Sequence, residues 1–302
     1  MIEVALMIEG QHGLSWNSWQ RIARIAEDGG FVGLYRSDHF TNADPPEKSS
    51  LECWISLAWL AGHTSRIEFG PMVSPISFRD PRMLARQAAA VDDLSNGRLQ
   101  LGLGAGWQER EHTMFGYDLL ERGPRFARYR EGVEVVTRLL RSDQPVSFDG
   151  QYYKLREAIL LPRPKRSGGP RIVIGGNGPQ RTLGMAAQYA DEWNCVYQTP
   201  QRFRELSARM DELLTARGRQ PSDVRRTMMT GIFLARDAAE LARRLGERTK
   251  ESVRERGALV GSPSELRDQL AELESAGLKR VMLQWLQIDD FEGMEALGKG
   301  LF

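Results

Sequence analysis

The chain has 302 residues, of which 41% are hydrophobic and 27% charged, the balance of an ordinary globular protein. Its formal net charge of +1 gives no basic field for nucleic acid, and no apolar run approaches the roughly 20 residues that span a bilayer. Two cysteines offer neither a disulfide framework nor a metal cluster. With no signal peptide at the N-terminus, we expect a cytoplasmic protein, one domain over residues 1–302, with no bound metal and no nucleic-acid or membrane partner.

Apolar segments alternate with amphipathic ones along the chain. The apolar segments predict eight strands, at 4–8, 33–36, 67–72, 99–103, 172–174, 193–196, 228–234 and 281–284. Helices are predicted at 19–28, 52–63, 81–94, 126–140, after 179, and at 203–217, 238–254 and 263–276. Eight strands, each but the last followed by a helix, fit a (β/α)8 TIM barrel with insertions, which typically needs about 250 residues. A doubly wound open sheet is the alternative, because strand count does not prove closure.

Two segments carry local signals for their structure. Ser262, Pro263 and Glu265 form an N-cap, a first-turn proline and a capping box, which predict a helix start. Within the longest irregular stretch, about 143–169, two alternating runs flank Asp149 and Gly150. That pattern is typical of a β-hairpin, so we interpret this stretch as an insertion lying over the barrel.

Residues 171–182, Arg-Ile-Val-Ile-Gly-Gly-Asn-Gly-Pro-Gln-Arg-Thr, form the most informative motif. A short buried strand runs into a glycine-rich turn and then into a helix N-terminus. Glycines let the backbone approach a ligand closely, and the free N–H groups and the helix dipole favour a phosphate. Arg181, in the first helical turn, adds a charged donor. The alternative is a tight turn that needs glycine only for its backbone conformation.

Barrel enzymes carry their chemistry at the C-terminal ends of the strands. The second predicted strand ends in Asp38 and His39, a pair in which the carboxylate can orient the imidazole for proton transfer. The alternative is a structural aspartate beside a histidine packed on the rim. The fourth strand ends in glycines at 102, 104 and 106, followed by Trp107. These leave one face without side chains, where a flat ligand could lie, unless the glycines only make room for neighbouring strands.

Several neighbouring signals point away from other chemistry. The sequence contains no Gly-x-Ser-x-Gly elbow, no His-Glu-x-x-His and no Walker lysine. The charged cluster 109–112 is interpreted as a solvated helix turn. His63 and His112 are isolated, so a core or surface role is favoured over metal binding.

The motifs together resemble the bacterial luciferase-like superfamily. The resemblance rests on segments 37–40, 69–75, 79–81, 94–98, 101–107, 109–112, 174–178 and 190–194, and it runs in order to the strand at 280–284. Within the superfamily the chain is most similar to oxidoreductases that use the deazaflavin coenzyme F420.

The resemblance implies a TIM barrel that holds a deazaflavin or flavin across the C-terminal mouth. It places Asp38 and His39 near the ring, gives Met72 and Val73 the family's non-prolyl cis peptide, and sets Gly106 and Trp107 beside the ring and substrate. The residues implied to bind the phosphate are Gly175, Gly176, Asn177 and Gly178. Gln108 stands where the family often has Asn, and Thr41-Asn42-Ala43 lacks the Trp of the sugar-phosphate dehydrogenases, which argues against a sugar phosphate.

The leading hypothesis is an F420-dependent oxidoreductase that transfers a hydride between the deazaflavin and an unidentified small organic substrate, with Asp38 orienting His39 as the catalytic residue. A luciferase-like monooxygenase that uses reduced FMN and O2 is the alternative. A catalytically silent barrel acting as a scaffold is a third reading. The resemblance further implies a homodimer.

Overall fold

The computed structural model describes residues 2–235 and 237–302. Its strands are β1 (Glu3–Ile8), β2 (Gly33–Arg36), β3 (Glu68–Pro71), β4 (Ser74–Pro75), β5 (Gln100–Gly104), β6 (Val146–Asp149), β7 (Lys154–Ala158), β8 (Arg171–Gly175), β9 (Glu192–Val196), β10 (Arg225–Leu234), β11 (Leu259–Gly261) and β12 (Arg280–Trp285). Its helices are α1 (Trp16–Asp28), α2 (Cys53–His63), α3 (Pro81–Leu94), α4 (Glu109–Phe115), α5 (Arg122–Arg141), α6 (Arg181–Tyr189), α7 (Pro200–Thr215), α8 (Ala238–Leu245), α9 (Lys250–Glu255), α10 (Pro263–Ser275) and α11 (Phe291–Leu301). None of the helices described is long and apolar enough to cross a bilayer.

The parallel strands form a barrel rather than an open sheet. Their order is β3-β2-β1-β12-β10-β9-β8-β5-β4, with β11 attached to β10. The two ends of this order meet, because β3 and β4 are halves of one strand and Phe69 of β3 bridges Leu99 beside β5. All eight predicted strands are present, and the predicted TIM barrel is confirmed.

The strands alternate between the barrel interior and the layer of helices. On β1, Val4, Leu6 and Ile8 belong to the large apolar cluster shared with the helices, whereas Ala5 and Met7 pack inside the barrel. All five side chains are buried. Both faces of the strand are therefore covered, which explains the unbroken apolar runs in the sequence.

Three local predictions have different outcomes. The hairpin is confirmed: β6 and β7 pair antiparallel, and the Glu131 carboxylate of α5 accepts N–H bonds from Gln151 and Tyr152. The capping box at Ser262 is also confirmed. The single helix at 238–254 is wrong, because Gly246, at φ +61°, ends α8 and Thr249 caps the separate helix α9.

A group of polar and charged side chains around the buried Arg280, here called the floor cluster, lies at the N-terminal ends of the strands. It comprises Arg280, Tyr35, Glu3, Glu68 and Glu192. Arg280 is 2% exposed, and its Nη2 lies 2.6 Å from Glu3 Oε2 and 2.6 Å from Glu68 Oε2. Burial raises the pKa of Glu192 and would raise that of Glu3, but Arg280 and Arg225 hold the pKa of Glu3 below its ordinary value. The buried Arg280 guanidinium, together with Arg225, thus balances the negative charge of these carboxylates at the end of the barrel opposite the mouth.

Barrel closure makes a prediction about Gly70. A Cβ at this position would lie 1.9 Å from the carbonyl oxygen of Gln100, so the β3–β5 contact has no room for a side chain. We expect Gly70→Ala to lower the free energy of unfolding by about 3 kcal/mol, the upper end for overpacking. Gly62→Ala is the control, because nothing lies within 4 Å of its added Cβ in α2, and it should stabilise by about 0.5–1 kcal/mol. Urea denaturation measures the free energy of unfolding of both variants, and equal values for the two would contradict the steric role of Gly70.

Candidate active site

A cavity of about 600 Å³ lies where β5 and β8 end and where α5 and α6 begin. Three arginines, Arg122, Arg125 and Arg181, line it. The strand ends contribute backbone rather than side chains. Their contribution comes from Gly104, Ala105, Gly106, Gly175 and Gly178. A cationic cavity with exposed backbone is suited to a phosphate or another polyanion.

The turn after β8 needs its glycines. Gly176 has φ +118°, and a Cβ on Gly178 would lie 2.9 Å from Thr182 Oγ1. At the start of α6, Gln180 provides no side-chain cap, whereas α1, α3 and α7 are each capped by a side chain. The first N–H groups of α6 are therefore left for a ligand.

Asn177 has a different part in this turn. Its Nδ2 donates to the Val196 carbonyl at 2.7 Å, and its Oδ1 accepts from the Val196 N–H at 2.8 Å. The side chain ties the turn to β9, so only the backbone of Asn177 remains for a phosphate. Of the predicted phosphate residues, Gly175, Gly178 and Arg181 line the cavity, and Gly176 and Asn177 shape the turn.

His39 lies just beyond the end of β2, with its side chain 14% exposed. Its Nδ1 is 2.8 Å from Glu111 Oε1, and Glu111 Oε2 accepts the Phe40 N–H at 2.9 Å. An ionised carboxylate only accepts hydrogen bonds, so Nδ1 carries a proton. Nε2 has no hydrogen-bond partner among the described residues and remains available to a ligand.

The predicted orientation of His39 by Asp38 is wrong. Both oxygens of Asp38 are held by Arg79, at 2.8 Å from Nε and 2.7 Å from Nη2, and Ser74 Oγ donates at 2.9 Å. Asp38 is 3% exposed and fixes the loop beneath the histidine instead. The missed partner, Glu111, is 72 residues away in sequence, so no local motif joins it to His39.

The predicted solvated turn at 109–112 is likewise wrong for its second half. Glu111 and His112 are 1% and 2% exposed. His112 Nδ1 lies 2.7 Å from the Gln108 carbonyl oxygen and its Nε2 2.7 Å from Ser77 Oγ, which confirms a core role for this histidine. The helix α4 thus serves to deliver a buried carboxylate to the site.

The surroundings shift the acidity of His39. Burial lowers the pKa of the imidazole, but the hydrogen bond and the charge of Glu111 raise it more, with help from the carboxylates of Glu9 and Asp38. The net direction is upward. His39 therefore keeps its second proton to higher pH than an ordinary histidine.

The sequence suggested that the glycines of β5 leave an open face for a flat ligand. The structure shows that this face is filled. A Cβ on Gly104 would lie 2.3 Å from Val73 Cγ2, and one on Gly102 would lie 3.1 Å from Val73 Cγ1. Val73 fills that face, and Met72 packs against the apolar cluster inside the barrel. The peptide between them is cis, as the resemblance implies. Trp107 stands 63% exposed, with its ring edge-on to His39 at 5.6 Å.

A polar chain that the sequence analysis missed crosses the other side of the mouth. The Tyr197 hydroxyl donates to Gln284 Oε1, and Gln284 Nε2 donates to Glu9 Oε1. Burial lowers the pKa of His12, and Glu9 and His39 are among the charges acting on it. Glu9, Tyr197 and Gln284 all end or follow strands, so the rule that strand ends carry the site could have found them.

No group of three His, Cys, Asp or Glu side chains within 2–235 and 237–302 is placed to hold a metal ion. The site is instead a barrel mouth with a cationic cavity on one side and a carboxylate-paired histidine on the other. That combination is the arrangement expected of a barrel that binds an anionic cofactor at its mouth.

The chain belongs to the luciferase-like monooxygenase family, whose model matches residues 3–252. It is 29% identical over 218 residues, or 71% of its length, to an F420-dependent glucose-6-phosphate dehydrogenase of Kineococcus radiotolerans. It is 33% identical over 178 residues, or 57% of its length, to an F420-dependent hydroxymycolic acid dehydrogenase of Mycobacterium tuberculosis. The matches span 63% and 46% of those two proteins.

Among solved structures, the fold is similar to that of an F420-dependent secondary alcohol dehydrogenase in complex with an F420-acetone adduct. The TM-score is 0.85 at 18% sequence identity, and the match covers 100% of this chain and 99% of that one. At this identity the likeness concerns the fold. It supports the barrel from end to end, including the parts outside the family match.

Proposed function

We propose that the protein is an F420-dependent oxidoreductase acting on a small organic substrate. The observation that carries the proposal is one barrel mouth that holds both the cationic 600 Å³ cavity and His39 paired to Glu111. The F420-dependent relatives support the same cofactor. The third reading, a silent scaffold, has no support from a site this complete.

The cavity fits the phosphate end of such a cofactor. Gly175 and Gly178 give close backbone approach, the uncapped start of α6 gives N–H donors, and Arg181 gives charge. When bound, the deazaflavin supplies a two-electron hydride acceptor or donor. Ala105 and Gly106 lead from this cavity to Trp107, so a ring would lie beside His39.

His39 is the residue proposed to move the proton. When a substrate alcohol is oxidised, its carbon loses a hydride and its hydroxyl proton passes to Nε2 of His39; reduction of a carbonyl returns both. Glu111 holds the ring through Nδ1 and stabilises the imidazolium that forms. Asp38 and Arg79 act as positioning residues, because they anchor the loop that carries His39.

A luciferase-like monooxygenase using reduced FMN is the second candidate, favoured only by the family's description. The two candidates separate on cofactor choice. We would titrate the purified protein with F420 and with FMN, oxidised and reduced, and follow cofactor fluorescence. F420 binding at micromolar concentration or tighter, with FMN much weaker, is expected; preference for reduced FMN would transfer the assignment to the monooxygenase.

Arg181→Gln tests the phosphate cavity. Loss of one charge-assisted contact is expected to weaken F420 binding about tenfold, since such a hydrogen bond contributes ~1.5–3 kcal/mol. Arg217→Gln is the control, because Arg217 does not line the cavity and its guanidinium donates to the Leu213 carbonyl. The same fluorescence titration measures both variants. Equal weakening would mean that the effect comes from overall charge.

A homodimer is also proposed, from the outer face of α2. Ile55 is 61% exposed, and Trp59 stands beside Trp16, their ring centres 6.2 Å apart. The opposite face of α2 is buried in the core, so this helix is apolar all round, as helices at interfaces are. The molar mass measured by light scattering after gel filtration should be that of a dimer for the unaltered protein and that of a monomer for Ile55→Glu. Ile159→Glu, at an exposed position outside α2, is the control and should remain a dimer.

A further inference from the structure

A second, smaller cavity opens at the mouth, between the C-terminal ends of β10 and β12 and the segment that carries α8 and α9. Its volume is about 170 Å³, small against the ~300–1,000 Å³ of a pocket that holds a whole ligand. Phe233, Tyr197 and Gln284 form part of its wall. A cavity of this size accepts one group of a larger molecule.

The charge in this cavity is unbalanced. Arg244, Arg248 and Arg256 line it, and none of the described lining residues is acidic. Arg244 is already used, since it pairs with Glu240 at 3.0 Å and Asp290 at 2.8 Å.

The other two guanidinium groups lack a carboxylate partner. Arg248 donates only to backbone carbonyls, of Leu245 at 2.9 Å and Arg244 at 3.3 Å, and lies 4.7 Å over the Phe233 ring. The side chain of Arg256 forms no hydrogen bond or ion pair with any described residue, although its backbone N–H donates to the Arg254 carbonyl. Two positive groups are therefore free to bind an anion.

A chain of polar side chains runs from this cavity to Glu9, whose charge acts on His39. Tyr197 stands at φ +50°, and Gly231 leaves room for its ring, because a Cβ there would lie 2.6 Å from the Tyr197 hydroxyl. That hydroxyl begins the chain through Gln284 to Glu9, whose charge acts on both Tyr197 and His39. Strand β9 separates this cavity from the phosphate turn after β8. The two cavities therefore lie at different strand ends of the same mouth.

We infer that this cavity binds an anionic group of the substrate, a carboxylate or a phosphate, through Arg248 and Arg256, while the reacting carbon lies at His39. The inference rests on the proposed function. Planar guanidinium forks match the oxygen geometry of both anions. The apolar wall at Phe233 favours a hydrocarbon portion next to the charge.

The test is calorimetric titration of the F420-saturated protein with benzoate, phenyl phosphate and the neutral benzyl alcohol. At least one anion is expected to bind at least tenfold more tightly than benzyl alcohol, and comparing benzoate with phenyl phosphate tells which chemistry is preferred. Arg248→Gln and Arg256→Gln should each weaken that anion at least tenfold and leave F420 affinity unchanged. Arg254→Gln is the matched control, because Arg254 lies on α9 outside the cavity and pairs with Glu272.

The outcomes separate this inference from the proposed function. If F420 binds but neither anion exceeds benzyl alcohol, or if Arg254→Gln weakens binding as much as Arg256→Gln, the anion site is overturned and the proposed function stands. If F420 does not bind, the proposed function fails. The anion titration is then repeated without cofactor on Arg181→Gln protein, in which the phosphate cavity has lost one positive charge. Weaker anion binding in the double variant Arg181→Gln/Arg248→Gln supports the anion site, and unchanged affinity overturns it.

Discussion

Replacement of His39 by alanine is expected to lower turnover by about 10²–10⁴-fold, the range for loss of a general acid–base group. F420 affinity should stay unchanged, because the phosphate cavity is built from β5, β8, α5 and α6. Turnover is measured as the change in F420 fluorescence with a panel of alcohols, hydroxy acids and phosphate esters. Affinity is measured by titration. A comparable loss of both would make His39 a binding residue only.

Glu111→Gln tests the pairing through the pH profile. The amide can still accept the Nδ1 hydrogen bond but lacks the charge that raises the pKa of His39. The inflection in rate against pH, above the ordinary imidazole value in the unaltered protein, should therefore move to lower pH. The inflection should move to lower pH for both oxidation and reduction. The two directions differ only in which side of the inflection is active, because oxidation needs the neutral imidazole and reduction needs the protonated one. An unmoved inflection would show that another group titrates.

Arg280→Met is expected to lower the free energy of unfolding by about 3 kcal/mol, the lower end of the range for breaking a buried ion pair from one side, because Arg280 is buried but Glu3 and Glu68 are partly exposed. The floor cluster would lose its buried guanidinium, and Glu3 and Glu68 would keep only Arg225. Urea denaturation at neutral pH measures this loss. Arg209→Met is the control: its exposed pair with Glu212 should contribute about 0–1 kcal/mol.

The same loss should depend on pH. Glu3 has a lowered pKa when folded, so its stabilisation is present above the unfolded value and is lost as the pH falls through the folded value. The difference in free energy of unfolding between Arg280→Met and the unaltered protein should accordingly become smaller at acidic pH. A constant difference would mean that lost packing, rather than lost charge compensation, causes the effect.

The barrel strands could be predicted because most of them are short apolar runs that are buried on both faces. Helix α11 could not, since it contains Gly293, Gly298 and Gly300, which ordinarily weaken a helix. The structure shows why glycine stands at one of these positions. A Cβ on Gly298 would lie 2.8 Å from the Gly29 carbonyl oxygen, so close packing on α1 requires it.

The site could be predicted only in part, because some of its contacts join segments that are distant in sequence. Strand-end position was enough to select His39 and the glycine turn, and the adjacency of Asp38 suggested the wrong partner for the imidazole. The pairing with Glu111 depends on how α4 lies across the mouth, and the filling of the β5 glycines depends on Val73 from another strand. Both are contacts between segments distant in sequence, which periodicity and local motifs do not encode.

The contact of Val73 with β5 also constrains how this barrel can diverge. Its side chain occupies the space above Gly102 and Gly104 and reaches Gly175 at the phosphate turn. A larger residue at Gly104 requires a smaller one at 73, whereas at Gly102 a Cβ would also lie 2.2 Å from the Pro71 carbonyl oxygen, which no change at 73 relieves. Related sequences should therefore keep position 104 and position 73 fixed or change them together.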